Sequence, residues 1–147
     1  LNIALVVSVY NESITERLLH GARSCLEKHG ANSSKIQVFS CPGAFELPQV
    51  AKALSLQRKW DAVICLGAVV RGETPHFDFV ATEAARGIQN VALESGTPVV
   101  FGVLTTNNMK QAKERSGGKH GNKGWEAALT GIEMARLFRR LERRRRR

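Results

Sequence analysis

The sequence predicts an α/β fold, a layered sheet of mainly parallel strands joined by right-handed crossovers, on three observations. Four apolar runs are rich in β-branched residues, each is followed by residues at helical spacing, and no linker or internal repeat interrupts the 147 residues. Residues 3–9, IALVVSV, are a continuous apolar run, as expected of a strand covered on both faces. Asn11 to Ser13 turn the chain. Ile14, Leu18, Ala22 and Leu26 then recur at near-helical spacing up to His29 and Gly30, a cationic last turn with a glycine stop. IQVF at 36–39 is a second, short strand, and Leu47, Val50, Ala51 and Leu54 give a helical face with Pro48 in its first turn. The third strand is AVICLGAVV at 62–70, with Val80, Ala84, Ile88 and Val91 marking the helix after it. PVVFGVL at 98–104 is the fourth strand, ahead of helical stretches near 108–115 and 125–138. Ligands of such sheets sit outside the carboxyl ends of the strands, so the segments after residues 9, 39, 70 and 104 are where chemistry is expected.

Length and composition fit one well-packed domain. Apolar residues make up 43%, charged residues 24% and aromatics 6%, which excludes collagen-like, low-complexity and wholly disordered chains. No apolar run approaches the roughly 20 residues that span a bilayer, and the N-terminal stretch has no basic lead-in or small-residue cleavage pattern. A soluble, cytoplasmic protein with no membrane partner is the expectation. Of the formal net charge of +9, Arg139 to Arg147 hold +6 in seven Arg and one Glu, leaving +3 for the body. That describes a nearly neutral domain over 1–138 and a flexible basic tail over 139–147, not a uniformly basic nucleic-acid-binding domain. Cys25, Cys41 and Cys65 are odd in number and well separated, with no CxxC pair and no His at zinc spacing. They read as buried free thiols in a reducing cytosol.

Each strand end carries unusual chemistry. After the third strand comes RGETPHFD, in which Thr74 is expected to cap a helix whose first residue is Pro75. The unpaired N–H groups of that helix start, its dipole and Gly72 suit a phosphate. His76 stands in the first turn, where the positive end of the dipole favours the neutral imidazole, the form able to take a proton. An ordinary capped helix with a surface histidine fits the same pattern. After the fourth strand, Gly117, Gly118, Gly121 and Gly124 surround Lys119, His120 and Lys123; such glycines let backbone amides approach a ligand. No Gly-Lys pair precedes Ser or Thr, and no GxGxxG follows the first strand, which disfavours nucleotide binding by those routes. Arg115 can meet a phosphate bidentately and Lys123 as a point charge, although a solvated basic loop looks alike. After the second strand, CPGAFELP presents Ala44, Phe45 and Glu46 at a helix mouth able to hold a polyol or an amide-like ring edge. Tyr10, after the first strand, can stack on a planar ligand or be a rim residue without one.

PGAFELP (42–48), DAVICLGAVVRGETPHFDFVATE (61–83), PVVFGVLTT (98–106) and ERSGGKHGNKGWEAALTGIEMA (114–135) together resemble the lumazine synthases, and the likeness covers nearly the whole chain. It implies a flavodoxin-like three-layer sandwich around a central four-stranded parallel sheet. It also implies a transferase of riboflavin biosynthesis that condenses 5-amino-6-(D-ribitylamino)uracil with 3,4-dihydroxy-2-butanone 4-phosphate to 6,7-dimethyl-8-ribityllumazine, inorganic phosphate and water, without metal or organic cofactor. By the same likeness His76 is the proton-transfer residue and Arg115 the phosphate-binding arginine. Tyr10 is the ring-stacking aromatic, Ala44, Phe45 and Glu46 the ribityl-binding turn, and Ala68, Val69 and Val70 the border of the uracil. Glu73 and Thr74 supply phosphate-binding backbone, Phe101 borders the pyrimidine, and Lys123 and Glu126 are polar groups nearby. The resemblance further implies a homo-oligomer, a pentamer, a dimer of pentamers or an icosahedral shell of pentamers, with Phe101, Arg115 and Lys123 reaching a neighbour's site.

The chain departs from the family pattern in three places. Val9-Tyr10-Asn11 stands where Arg-Phe-Asn is usual, so stacking is expected to survive without the nearby positive charge. The chain starts at the first core strand, where the family usually has a further segment against a neighbouring subunit, so either altered assembly or omitted residues are expected. The run Arg143 to Arg147 is not a family motif. It supports an alternative in which the body is only a shell-forming scaffold and the arginine tail binds nucleic acid.

Overall fold

The computed structural model describes residues 1–146, and its chain alternates strand and helix as the apolar periodicity predicts. Strand β1 (Ile3–Ser8) leads to helix α1 (Glu12–Lys28), β2 (Ile36–Cys41) to α2 (Leu47–Ser55), β3 (Ala62–Val70) to α3 (His76–Ser95) and β4 (Val99–Thr106) to α4 (Met109–Glu114). A short hairpin, β5 (Ser116–Gly118) and β6 (Gly121–Asn122), precedes the last helix α5 (Lys123–Arg146). The four main strands pair in parallel in the order β2-β1-β3-β4. With helices on both faces, this is the flavodoxin-like three-layer sandwich around a four-stranded parallel sheet that the sequence led us to expect.

Side chains of a strand alternate between the two faces, and this divides the core in two. Ile3, Leu5, Val7, Ile64 and Leu66 pack with Ile14, Leu18 and Leu26 of α1 and with Ala128 and Ile132 of α5. Ala4, Val6, Val63 and Cys65 pack with Leu47 and Ala51 of α2 and with Ala84 and Ile88 of α3. All six residues of β1 are buried, as its unbroken apolar run requires of a strand covered on both faces. The three cysteines are free and buried. No helix among the described residues is long and apolar enough to cross a membrane.

The ends of β1, β2 and β4 shift by one or two residues from the sequence reading, and three helix boundaries differ for identifiable reasons. Helix α3 starts at His76, not at Thr74: the Pro75 carbonyl accepts the first helical bonds from Asp78 and Phe79, and Pro75, with no N–H to give, occupies the cap. Helix α5 starts at Lys123 instead of 125, because the Asn122 side-chain oxygen accepts from the amides of Gly124 (2.8 Å) and Trp125 (3.1 Å). At its other end α5 passes 138 and continues through the arginine run to Arg146, consistent with arginine's good helix propensity and with cations at a helix C-terminus. Arg139 there donates to both carboxylate oxygens of Asp61 at 3.2 Å. Arg147 lies outside the described residues.

Strand order places the site. From β1 the chain crosses outward to β2 on one side, then returns past β1 to β3 and continues to β4, so the crossovers diverge between the carboxyl ends of β1 and β3. The loops there leave to opposite sides and a crevice opens, the position at which open α/β sheets take their ligands.

Candidate active site

The crevice is built by a clamp between the ends of β1 and β2. The amides of Val9 and Tyr10 both donate to the Pro42 carbonyl, at 3.1 and 2.9 Å, which fixes the PGAFE turn beside the end of β1. Asn11 follows with φ 62°, a left-handed conformation that asparagine tolerates better than most residues. Its side-chain amide donates to the Ala68 carbonyl at 3.0 Å and so ties the end of β1 to β3. Glu46 reaches back to accept from the Gly43 amide at 3.0 Å, closing the turn as a single helical turn over Ala44–Glu46 that leads into α2.

A cavity of about 730 Å³ occupies this crevice. Tyr10, the turn residues Ala44, Phe45 and Glu46, the β3 residues Ala68, Val69 and Val70, and His76 at the start of α3 all line it. Eight of the residues singled out in the sequence therefore meet at one opening. Tyr10 is 70% exposed and Phe45 is 57% exposed, so two aromatic side chains stand open at the mouth while Ala44, Ala68 and Val69 form a buried floor. That suits a flat, partly polar ring. Gly43 sets how closely the Tyr10 ring can lie, since a Cβ there would come within 2.9 Å of the ring and 3.2 Å of a Glu46 carboxylate oxygen. Gly43→Ala is expected to displace the ring and weaken binding of a flat-ring ligand in this crevice by about tenfold, with the melting temperature little changed; binding titration and thermal unfolding check both.

Beyond the floor, the loop from Gly72 to Pro75 is wholly exposed. Among the described residues, no protein group accepts from the amides of Gly72, Glu73 and Thr74. Three N–H groups ahead of a 20-residue helix are an arrangement that favours an oxyanion. Glu73 and Thr74 thus sit beside the cavity rather than in its wall, and Thr74 makes no capping bond.

The remaining candidates lie elsewhere on the chain. Phe101, Lys123 and Glu126 line a different cavity of about 770 Å³, between α3, β4 and α5, together with the apolar Leu93 and Phe138. Arg115 closes α4, where it donates to the Gln111 carbonyl at 3.2 Å and lies 3.7 Å from Glu114; it lines neither cavity. One chain alone does not gather the full set. Four lining residues went unassigned in the sequence: Asn11, Gly43, Phe79 and Val80. Helical spacing from His76 points to Phe79 and Val80, three and four residues on. Nothing local reveals Asn11, whose partner is 57 residues away.

Cys41 ends β2 directly behind the turn. Burial, and secondarily the Glu46 carboxylate, push its thiol up from 9.0 to about 11, and burial pushes Cys65 upward as well. A folded thiol that stays protonated where the unfolded one ionises contributes stability that is complete below pH about 9 and is lost as pH rises towards about 11. Unfolding free energy is accordingly expected to fall across that window, with a shallower slope in Cys41→Ala; denaturant titrations at stepped pH measure it.

The protein-family model described as 6,7-dimethyl-8-ribityllumazine synthase matches residues 1–139. The chain belongs to this family. Curated relatives named 6,7-dimethyl-8-ribityllumazine synthase agree. That of Clostridium kluyveri is 53% identical over 142 residues, covering 97% of this chain and 92% of the relative. That of Chlorobium luteolum is 54% identical over 138 residues, covering 94% and 89%. That of Chlorobium phaeovibrioides is 55% identical over 137 residues, covering 93% and 88%. As a member of the lumazine synthase family the chain is an enzyme, a transferase of riboflavin biosynthesis acting on small molecules, as the sequence motifs led us to expect. The alternative of a mere scaffold with a nucleic-acid-binding tail is not supported.

Proposed function

We propose that the crevice is the pyrimidine half of a site shared between subunits, in which 5-amino-6-(D-ribitylamino)uracil lies on Tyr10 with its ribityl chain along Ala44, Phe45 and Glu46. The observation that carries this reading is the single cavity holding Tyr10, Glu46, Val69, Val70 and His76 at the divergence of the crossovers. Beside it, the amides around Glu73 and Thr74 receive the phosphate of 3,4-dihydroxy-2-butanone 4-phosphate. His76 moves protons as the 5-amino group forms an imine with the ketone and expels its oxygen as water, phosphate is eliminated, and the ring closes with loss of a second water. Arg115, Phe101, Lys123 and Glu126 serve the site of the adjoining copy, the arginine on the phosphate and Phe101 along the pyrimidine.

The separation of those residues from the crevice supports an oligomer with shared sites, which the family resemblance makes a pentamer or a multiple of pentamers up to an icosahedral shell. So does the apolar surface around Phe101, where Leu93 is 73% exposed and Phe138 is 37% exposed, large apolar groups suited to contact with another chain. Three buried, unpaired thiols suit a reducing cytoplasm. Residues 1–138 act as the catalytic domain, and the arginine run of 139–147 has no part in turnover; the family match ends at residue 139. Mixing the purified protein with both substrates and following the visible absorbance of the lumazine product tests the activity, and light scattering tests the assembly. A protein that accumulates no product, or that stays monomeric while fully active, overturns the corresponding half of the proposal.

A further inference from the structure

We propose that Arg71 is a positioning residue for the phosphate end of the site, strapping the loop of Gly72 to Pro75 in place from outside; this rests on the reading of that loop and His76 given above. The loop has little else to hold it. All four of its residues are exposed, and a Cβ placed on Gly72 would find no atom within 4 Å, so no core side chain packs against its start. Amides offered to a phosphate act well only if their spacing is fixed before the ligand arrives.

Arg71 spans the gap. It follows the last residue of β3, and its amide donates to the Thr106 carbonyl at 2.8 Å, which anchors its backbone to the end of β4. Its guanidinium lies 4.4 Å from the centre of the Phe77 ring, and one nitrogen is 3.5 Å from an Asp78 oxygen, both in the first turn of α3. Nε donates to the Asn107 side-chain oxygen at 3.1 Å. One planar group thus joins the exit of β3, the first turn of α3 next to His76, and the loop after β4. The ion pair itself is solvated, with side chains 47% and 59% exposed, so its value is geometric rather than energetic. A fork that stacks and donates in fixed directions can set a distance; a lysine ammonium cannot. The same network continues through α4: the Asn107 amide donates to the Gln111 side chain at 2.8 Å, and the Gln111 carbonyl accepts from Arg115 at 3.2 Å. The residue that braces one phosphate cradle is therefore linked to the arginine that this chain offers to the adjoining site.

The test is steady-state kinetics of Arg71→Ala, Arg71→Lys and Asn107→Ala in the full-length protein, with each substrate varied in turn and unfolding monitored in parallel. The alanine variant is expected to lose about tenfold or more in kcat/KM for the butanone phosphate while KM for the pyrimidine stays within about twofold, because Tyr10 and the Glu46 turn are not attached to Arg71. Arg71→Lys should resemble Arg71→Ala despite keeping its charge. Asn107→Ala should lose less, and the double variant no more than Arg71→Ala alone, since the two act through one contact. Equal losses on both substrates, or full recovery by lysine, would overturn the positioning role. Parental kinetics in all three variants while His76→Ala and Arg115→Ala are crippled would overturn the strap and leave the site intact. Parental kinetics in those two as well would remove the site reading itself.

Discussion

Replacing Arg115 by alanine is expected to lower kcat/KM for the butanone phosphate by about 10²-fold while the unfolding transition stays where it is in the parent. The two halves of that expectation have separate causes. Within the chain the guanidinium makes one hydrogen bond to the Gln111 carbonyl at 3.2 Å and stands 3.7 Å from Glu114, with 41% of its side chain exposed. Exposed pairs of this kind contribute about 0–1 kcal/mol, so the fold loses little. Its other N–H groups can present a fork to a phosphate, and hydrogen bonds between charged groups are worth about 1.5–3 kcal/mol, enough for the stated loss. Arg115→Lys keeps the charge without the fork and should recover about one order of magnitude. Turnover equal to the parent's in Arg115→Ala would take the arginine out of the phosphate site.

The elements easiest to find in the sequence are those whose burial is uniform. The run at 62–70 is an unbroken apolar segment because β3 lies in the middle of the sheet, and it appears at those residues in the structure. Leu18, Ala22 and Leu26 mark α1 because one face of it packs on the sheet. The candidate site was legible where its residues follow directly on a strand: Tyr10 after β1 and the Ala44–Glu46 turn after β2 need only the rule that ligands bind at carboxyl ends, whereas Ala68 to Val70, inside the end of β3, are pointed to by the family resemblance alone. What stayed hidden depends on partners distant in sequence or on backbone alone. The hairpin of Ser116 to Asn122 is made by glycine-rich backbone, with Gly117 and Gly121 at φ 110° and 83°, and leaves no apolar alternation to read. Asn122 caps α5 from the last position of that hairpin, so the start of the helix was placed two residues late. Arg71 looks like one more surface charge until Asn107, 36 residues on, is seen beside it.

For His76→Ala a fall in kcat of about 10²-fold to 10⁴-fold is expected, the usual contribution of a general acid or base, with pyrimidine affinity held within about twofold by the Tyr10 platform. His76 opens α3 at the rim of the cavity that Tyr10 and Glu46 also line, so its loss would remove the proposed proton carrier and leave the Tyr10 platform in place. A fall of less than about tenfold would mean that bringing the two substrates together accounts for most of the acceleration. The same variant can report on whether sites are shared. In His76→Ala the arginine offered to the neighbour is intact, and in Arg115→Ala the histidine is. If both groups served the site of their own chain, every chain in a mixture would lack one of them and co-assembly would restore nothing. If they meet across an interface, random co-assembly of equal amounts rebuilds both groups at about one quarter of the sites, because each site draws its histidine and its arginine independently. Unfolding and refolding the two inactive variants together, then measuring lumazine formation against each refolded alone, separates these outcomes: recovered activity places His76 and Arg115 on different chains, and none places them on the same one.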